Sequence, residues 1–323
     1  MGKTLKKRIW LAGFILLIAS GYVALIAVPQ QTIHLEHKVL VTSPADVGLV
    51  FENFYISPQD SNLQLAGWWM PAREPHATLV FIHGIGSNRT SSFFGSLEFY
   101  RAMVNEGISV VAIDLRNHGS SGRDSNGAQF GHTEKYDVLA AIDWANEKAP
   151  DLPLFAMGIS MGGSTVILAA DTGAELDGLI LLDSLLDTVD SFKQGGWINT
   201  GLPPALFTVS AWAATQFYGL PKGHEQALER AATLDLPILV IQDPDDPVTR
   251  ARYSRQLAQR NPNVILWTVP PINPKHPDLA KKKRWGTHVA AFRFYPRQTV
   301  AQILTFIDSA KIVGTNSGLP QGH

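Results

Sequence analysis

Leu154-Phe155-Ala156-Met157-Gly158-Ile159-Ser160-Met161-Gly162-Gly163 decides how this chain reads. An apolar run of strand character leads into Gly158, and a segment of helical character follows Ser160. In that setting a G-x-S-x-G pattern predicts a serine on a tight strand-to-helix turn. Such a turn strains the backbone at the serine, and glycines are needed beside it because neighbouring Cβ atoms would clash. It also aims the first N–H groups of the helix at whatever the serine attacks.

On either side of this turn, short apolar runs alternate with helical segments. Residues 78–82, 110–113, 179–182, 238–242 and 264–269 read as further buried strands. Helices are expected over 93–105, about 134–147, after Ser160, and over 299–307. Residues 47–57 and 63–70 have β character and flank the turn Gln59-Asp60-Ser61-Asn62, which predicts a leading hairpin. Continuous apolar runs separated by helices imply an α/β fold with a mostly parallel central sheet and helices on both faces. Catalytic groups then gather at the carboxyl ends of the strands. One insertion, about 184–232, breaks the alternation with Gly195-Gly196-Trp197, Pro203-Pro204 and the aromatic segment 212–218. It reads as a helical lid. Residues 32–313 therefore form one domain, and the Gly/Ser/Gln-rich residues 314–323 read as a flexible tail.

The N-terminus has a different character. Lys3, Lys6, Lys7 and Arg8 precede an uncharged apolar run over residues 9–28, closed by Pro29-Gln30-Gln31. Twenty such residues suffice to span a bilayer, and no convincing small-x-small cleavage site closes the run. Residues 1–31 are expected to be a basic cytoplasmic flank and a membrane-spanning signal anchor. The domain that follows would then lie outside the cytoplasm, periplasmic or extracellular in a bacterium. A cleaved secretory signal is the alternative. The formal net charge of −1 gives no general attraction to nucleic acid. The absence of cysteine excludes disulfides, thiolate nucleophiles and cysteine-ligated zinc. An H-E-x-x-H motif, a P-loop and a dinucleotide fingerprint are also missing, and no metal or cofactor is expected. Oligomeric state is not legible.

A serine hydroxyl needs a base, and the base needs an orienting acid, in the chain order Ser, Asp or Glu, His. His288, in Trp285-Gly286-Thr287-His288-Val289, follows the last strand and precedes the last helix, which places it on the catalytic rim. The loop Gln242-Asp243-Pro244-Asp245-Asp246-Pro247-Val248 offers the acid. Asp246 is favoured because it ends that loop just before the next helix. Asp245 is the alternative, Asp183 a weaker one, and Asp114 reads as an organiser of the loop through Arg116-Asn117-His118-Gly119. Negative charge on an attacked carbonyl needs N–H donors. Met161, opening the helix, supplies one backbone donor. Ile85, in His83-Gly84-Ile85-Gly86 after the strand over 78–82, is the expected second, with His83 bracing the loop.

Taken together, His83-Gly84-Ile85-Gly86, the Asp114 to Gly122 loop, Gly158–Ser160–Gly163, Asp246-Pro247-Val248 and Gly286-Thr287-His288 resemble the α/β-hydrolase superfamily over about 45–310. The similarity is to the serine hydrolase branch holding monoacylglycerol-lipase-like and acyl-peptidase-like enzymes. It implies a Ser160–Asp246–His288 triad and an acyl-enzyme, and hence a membrane-anchored hydrolase of carboxylic ester or thioester bonds in small or lipid-like substrates. A peptidase or acyltransferase using the same triad, or a non-catalytic binding protein, are the competing classes. The lid aromatics Trp197, Phe207, Trp212, Phe217 and Tyr218 suggest an apolar acyl group or lid core. The basic run Lys281-Lys282-Lys283-Arg284 reads as a solvated loop or an anionic-lipid contact.

Overall fold

The computed structural model describes residues 3–317, with side chains over 5–311. An eight-stranded sheet has the order β1-β2-β4-β3-β5-β6-β7-β8. The strands are β1 (Glu52–Ile56), β2 (Leu65–Met70), β3 (Ala77–Ile82), β4 (Ile108–Ile113), β5 (Leu154–Ile159), β6 (Gly178–Leu182), β7 (Ile238–Gln242) and β8 (Val264–Thr268). β1 pairs antiparallel with β2, and β2 antiparallel with β4. From β4 to β8 every pairing is parallel. This is the mostly parallel sheet that the unbroken apolar runs predict, with β1 and β2 forming the leading hairpin.

Alternation along each strand divides the core into two layers. Leu79 and Phe81 of β3 face one layer, with α3 (Ser96–Asn105), α11 (Ala291–Phe294) and α12 (Pro296–Ser317). Val80 and Ile82 face the other, with α4 (Lys135–Lys148), α5 (Met161–Asp171), α8 (Ala227–Ala231) and α9 (Ala251–Arg260). A two-residue side-chain period forces this division, and each fully buried Phe or Leu contributes about 1.5–3 kcal/mol. α12 continues through Ser317, so residues 314–317 of the expected tail are helical. The rest of that segment, 318–323, lies outside the described residues.

Between β6 and β7 the chain forms α6 (Thr188–Thr200), α7 (Thr208–Phe217) and α8, the first two arching over the carboxyl end of the sheet as the lid. The N-terminal segment is one continuous helix: α1 (Lys3–Tyr22), a π turn (Val23–Ala27) and α2 (Val28–Ile33). It runs past Pro29, where the sequence suggested its end. Pro29 has no N–H for the Leu25 carbonyl, and its ring crowds that carbonyl, so the helix loosens to an i→i−5 turn there. The Val28 N–H accordingly donates to Val23 O. Residues 5–33 are long and apolar enough to cross a membrane, and their most apolar stretch is not buried against the rest of the protein. The last turn docks. Ile33 is only 3 % exposed and packs with Phe130, Leu185, Phe192, Ala211, Ala214 and Leu220 in a third apolar cluster under the lid.

Candidate active site

Ser160 sits between β5 and α5 at φ 54° and ψ −122°, a conformation that non-glycine residues rarely adopt. The turn tolerates no side chain two positions to either side, at Gly158 or Gly162. A Cβ on Gly158 would overlap the Gly162 carbonyl, and one on Gly162 would overlap the Ile82 carbonyl at the end of β3. The backbone is tied on both sides: Ser160 N–H donates to Leu182 O at 3.1 Å, and Ser160 O accepts from Leu185 N at 3.0 Å.

The loops after β7 and β8 bring the other two side chains to the serine. His288 Nε2 lies 2.9 Å from Ser160 Oγ, and His288 Nδ1 lies 2.6 Å from Asp246 Oδ2. A carboxylate only accepts, so it fixes the imidazole with Nδ1–H facing Asp246 and leaves Nε2 to accept from the serine hydroxyl. Asp246 is in turn held by Val248 N–H at 2.6 Å, Thr249 N–H at 2.9 Å and the Thr249 hydroxyl at 2.9 Å. Asp245 is exposed instead. It borders a more open cleft on the outer side of the loop, together with Arg250, Arg252 and Arg255. An aligned hydroxyl, imidazole and carboxylate of this kind can pass the hydroxyl proton to the ring while the carboxylate steadies the resulting imidazolium.

Asp183, at the end of β6, has a role the sequence did not reveal. Its φ is 42°, and its carboxyl ties the acid loop to the histidine loop. Oδ1 accepts from Asp243 N–H at 2.8 Å, and Oδ2 accepts from Val289 N–H at 2.9 Å. Val289, next to His288, is itself at φ 54°, which is strained for a β-branched residue. Complete burial, then the neighbouring Asp246 charge, push the Asp183 carboxyl well above the usual carboxylate range. Asp183, Asp246 and His288 offer ligand atoms within 4.8 Å of one another, as a metal site would. Their atoms are nonetheless engaged with the donors just named and with Ser160, which leaves an ion a poor share of the lone pairs.

Two histidines brace the loop after β3. His83 Nε2 accepts from Leu115 N–H at 3.1 Å, and its Nδ1 pairs with Gly84 O at 2.8 Å. His118 Nε2 accepts from Gly86 N–H at 3.1 Å, and its Nδ1 pairs with Arg116 O at 2.8 Å. Burial pushes His83 down to about 4 and His118 down to about 3, so both rings are neutral near pH 7. Sequence reasoning gave His83 this bracing part and overlooked His118. Asp114 organises the next loop as expected, accepting from Ser120 N–H at 2.8 Å and pairing with Arg89 at 2.8 Å. Gly86 N–H is engaged by His118, and Ser87 N–H donates to Gly84 O at 3.3 Å. Met161 opens α5, where a first-turn N–H has no carbonyl within the helix.

A cavity of ≈ 480 Å³ opens on Ser160 and His288. Its walls include Ile85, Phe93, Phe130, Leu185 and Phe192. The five aromatics that the sequence offered as an acyl-binding lid are not among them. Trp212 and Phe217 face outward, and Phe207 is packed on Gly196 within the lid. Aromatic content was legible, but which face of a lid helix turns inward depends on its docking. In the basic run Lys281, Lys283 and Arg284 are exposed, as a solvated loop predicts, and Lys282 is the exception. Lys282 folds inward, 3.1 Å from the centre of the Phe93 ring, and its ammonium donates to His288 O at 2.5 Å. Burial pushes Lys282 down to about 7, against the pull of Asp246 and Asp183.

The sheet order, the strained serine between β5 and α5, and the loops that meet it define the class of architecture: this chain has the α/β-hydrolase fold. Residues 73–199 match the family described as serine aminopeptidase, S33. Human monoglyceride lipase is 30% identical over 128 residues, covering 39% of this chain and 41% of the lipase. Lysophosphatidylserine lipase ABHD12 of Macaca fascicularis is 27% identical over 138 residues, covering 37% of this chain and 33% of that protein. These alignments thus span well under half the length of either relative. Among solved structures, the Pyrococcus furiosus esterase PF2001 superposes with a TM-score of 0.70 at 20% identity, covering 86% of this chain and 98% of that one. At that identity the likeness is one of fold.

Proposed function

We propose that this protein is a membrane-anchored serine hydrolase of carboxylic esters, thioesters included, acting on small or lipid-like substrates with an apolar acyl group. The observation that carries the reading is the unbroken line from Ser160 Oγ through His288 to Asp246, at 2.9 and 2.6 Å. Ser160 Oγ attacks the carbonyl carbon as His288 Nε2 takes its proton. The Ile85 and Met161 backbone N–H groups stabilise the oxyanion, and His288 returns the proton to the departing alcohol or thiol. Water, deprotonated by the same imidazole, then releases the acid and restores the serine. The apolar walls formed by Phe130, Leu185 and Phe192 support an acyl chain, and the lipase and esterase relatives agree in kind. Residues 5–33 are the anchor, and the basic flank Lys6-Lys7-Arg8 holds the N-terminus in the cytoplasm, placing the hydrolase domain on the other side.

The test is labelling of the full-length protein in detergent with a fluorophosphonate, alongside p-nitrophenyl esters of graded chain length. Labelling and turnover are expected, both abolished by Ser160→Ala. Undiminished ester turnover in Ser160→Ala overturns the reading. Peptide hydrolysis is a second reading favoured only by the description of the matched family. Aminoacyl p-nitroanilides in the same screen decide it.

A further inference from the structure

The outer face of the lid is apolar where a water-facing surface would be charged. No charged residue or histidine lies between Lys193 and Lys222, a stretch that includes most of α6 and all of α7. On and beside α7, Leu206 is 64% exposed, Val209 51%, Trp212 51% and Phe217 67%. The Trp212 and Phe217 rings meet edge to face at 5.5 Å, leaving a joined aromatic surface. A contiguous exposed patch of this kind marks a contact site rather than ordinary surface.

The position of the N-terminal helix says what covers it. α7 packs against the π turn Val23–Ala27, and the Tyr218 hydroxyl donates to Leu25 O at 3.0 Å. That carbonyl is the one Pro29 leaves without an intrahelical donor, so the lid supplies the missing hydrogen bond. In the apolar run over 9–28, Leu25 lies three residues from the end, about 4.5 Å of helix rise. A lid helix that meets the anchor at this level sits beside the apolar span itself. An uncharged face carrying a tryptophan suits that depth, because tryptophan concentrates at the membrane interface.

We propose that the outer face of α7, with Leu206, Val209, Trp212 and Phe217, is seated in the phospholipid leaflet from which the N-terminal helix emerges. The lid and the anchor then form one membrane-embedded unit, and the mouth of the Ser160 cavity, bordered by Gln31 and Thr32 in the last helical turn and by Leu35 just beyond it, opens at the lipid surface. This rests on the anchored reading of residues 5–33 and is independent of the chemistry at Ser160.

The absence of cysteine permits a direct test with the full-length protein in phosphatidylcholine vesicles. Single variants Val209→Cys and Leu206→Cys carry a polarity-sensitive dye at exposed positions. Leu16→Cys in α1 marks the anchor, and Ile265→Cys on β8 marks the far edge of the sheet. The expected result is a blue-shifted dye at 209 and 206, quenched by brominated acyl chains at least about twofold more than at 265. Quenching at 209 no greater than at 265, with free access to iodide, overturns the proposal. So does a blue-shifted dye at 209 that only a second labelled copy quenches, since another protein chain then covers the face. If the dye at 16 also reports water, the anchored reading falls with the proposal. Lipid quenching at 16 but not at 209 removes the proposal alone.

Discussion

The carboxyl end of the sheet and the lid with the N-terminal helix meet over one cavity but are held by different forces. Around Ser160 nearly every polar atom is committed: Asp246 takes four hydrogen bonds, Asp183 bridges two loops, and His83 and His118 each occupy both ring nitrogens. Under the lid, by contrast, Ile33, Phe130, Phe192 and Ala214 pack as an apolar cluster, and Tyr218–Leu25 is a hydrogen bond from the lid to the N-terminal helix. Hydrogen bonds fix atoms to a few tenths of an ångström and are directional, as proton transfer needs. Apolar contacts are non-directional and tolerate sliding, which suits a surface that must admit substrates.

The sharpest way to break this contrast is at the acid loop. Asp246→Asn is expected to lower kcat by about 10³–10⁴-fold, since an amide cannot hold His288 in the needed tautomer. Asp245→Asn, on the exposed side, should leave kcat within about twofold. Steady-state kinetics on a p-nitrophenyl ester checks both, and a reversal of the two would move the acid to Asp245. A smaller effect is expected at the lid. Ile33→Ala should cost about 2–4 kcal/mol of stability, with the loss concentrated in the cluster between the lid and the N-terminal helix. It is read as a lowered unfolding midpoint in the detergent-solubilised full chain, and an unchanged midpoint would show that the docking carries no energy.

The smallest change concerns acid stability. His118 has a folded pKa lowered to about 3, chiefly by burial and then by the nearby His83. The unfolded chain, with its imidazole near 6.5, binds the proton more readily. The resulting stability is therefore present above pH 6.5 and lost as pH falls toward 3. His118→Asn keeps an acceptor for Gly86 N–H but removes the titration. The loss in urea stability between pH 7 and pH 4.5 should then shrink by about 2–3 kcal/mol. An unaltered loss would assign acid sensitivity to other groups.

The elbow, the buried strands, the loop that carries His288 and the long apolar N-terminal helix were legible because each is written in a few adjacent residues. The runs 154–157 and 238–242 are strands wherever they pair, and a Gly-x-Ser-x-Gly turn needs only its own glycines. Asp183 bracing Val289 was not legible, because those residues lie 106 positions apart and meet only once the sheet is ordered. The same holds for His118 under Gly86 and for Lys282, which in sequence is one cation among four.

By itself, then, the sequence determined the type of chain: local apolar period, turn glycines and a charge-free helix, all set by short-range sterics and hydration. The tertiary structure alone decided which carboxylate faces His288, which aromatics turn outward, and that Pro29 leaves a carbonyl for Tyr218 to fill. Those outcomes depend on distant segments being brought to within hydrogen-bond range, and no local pattern encodes that distance.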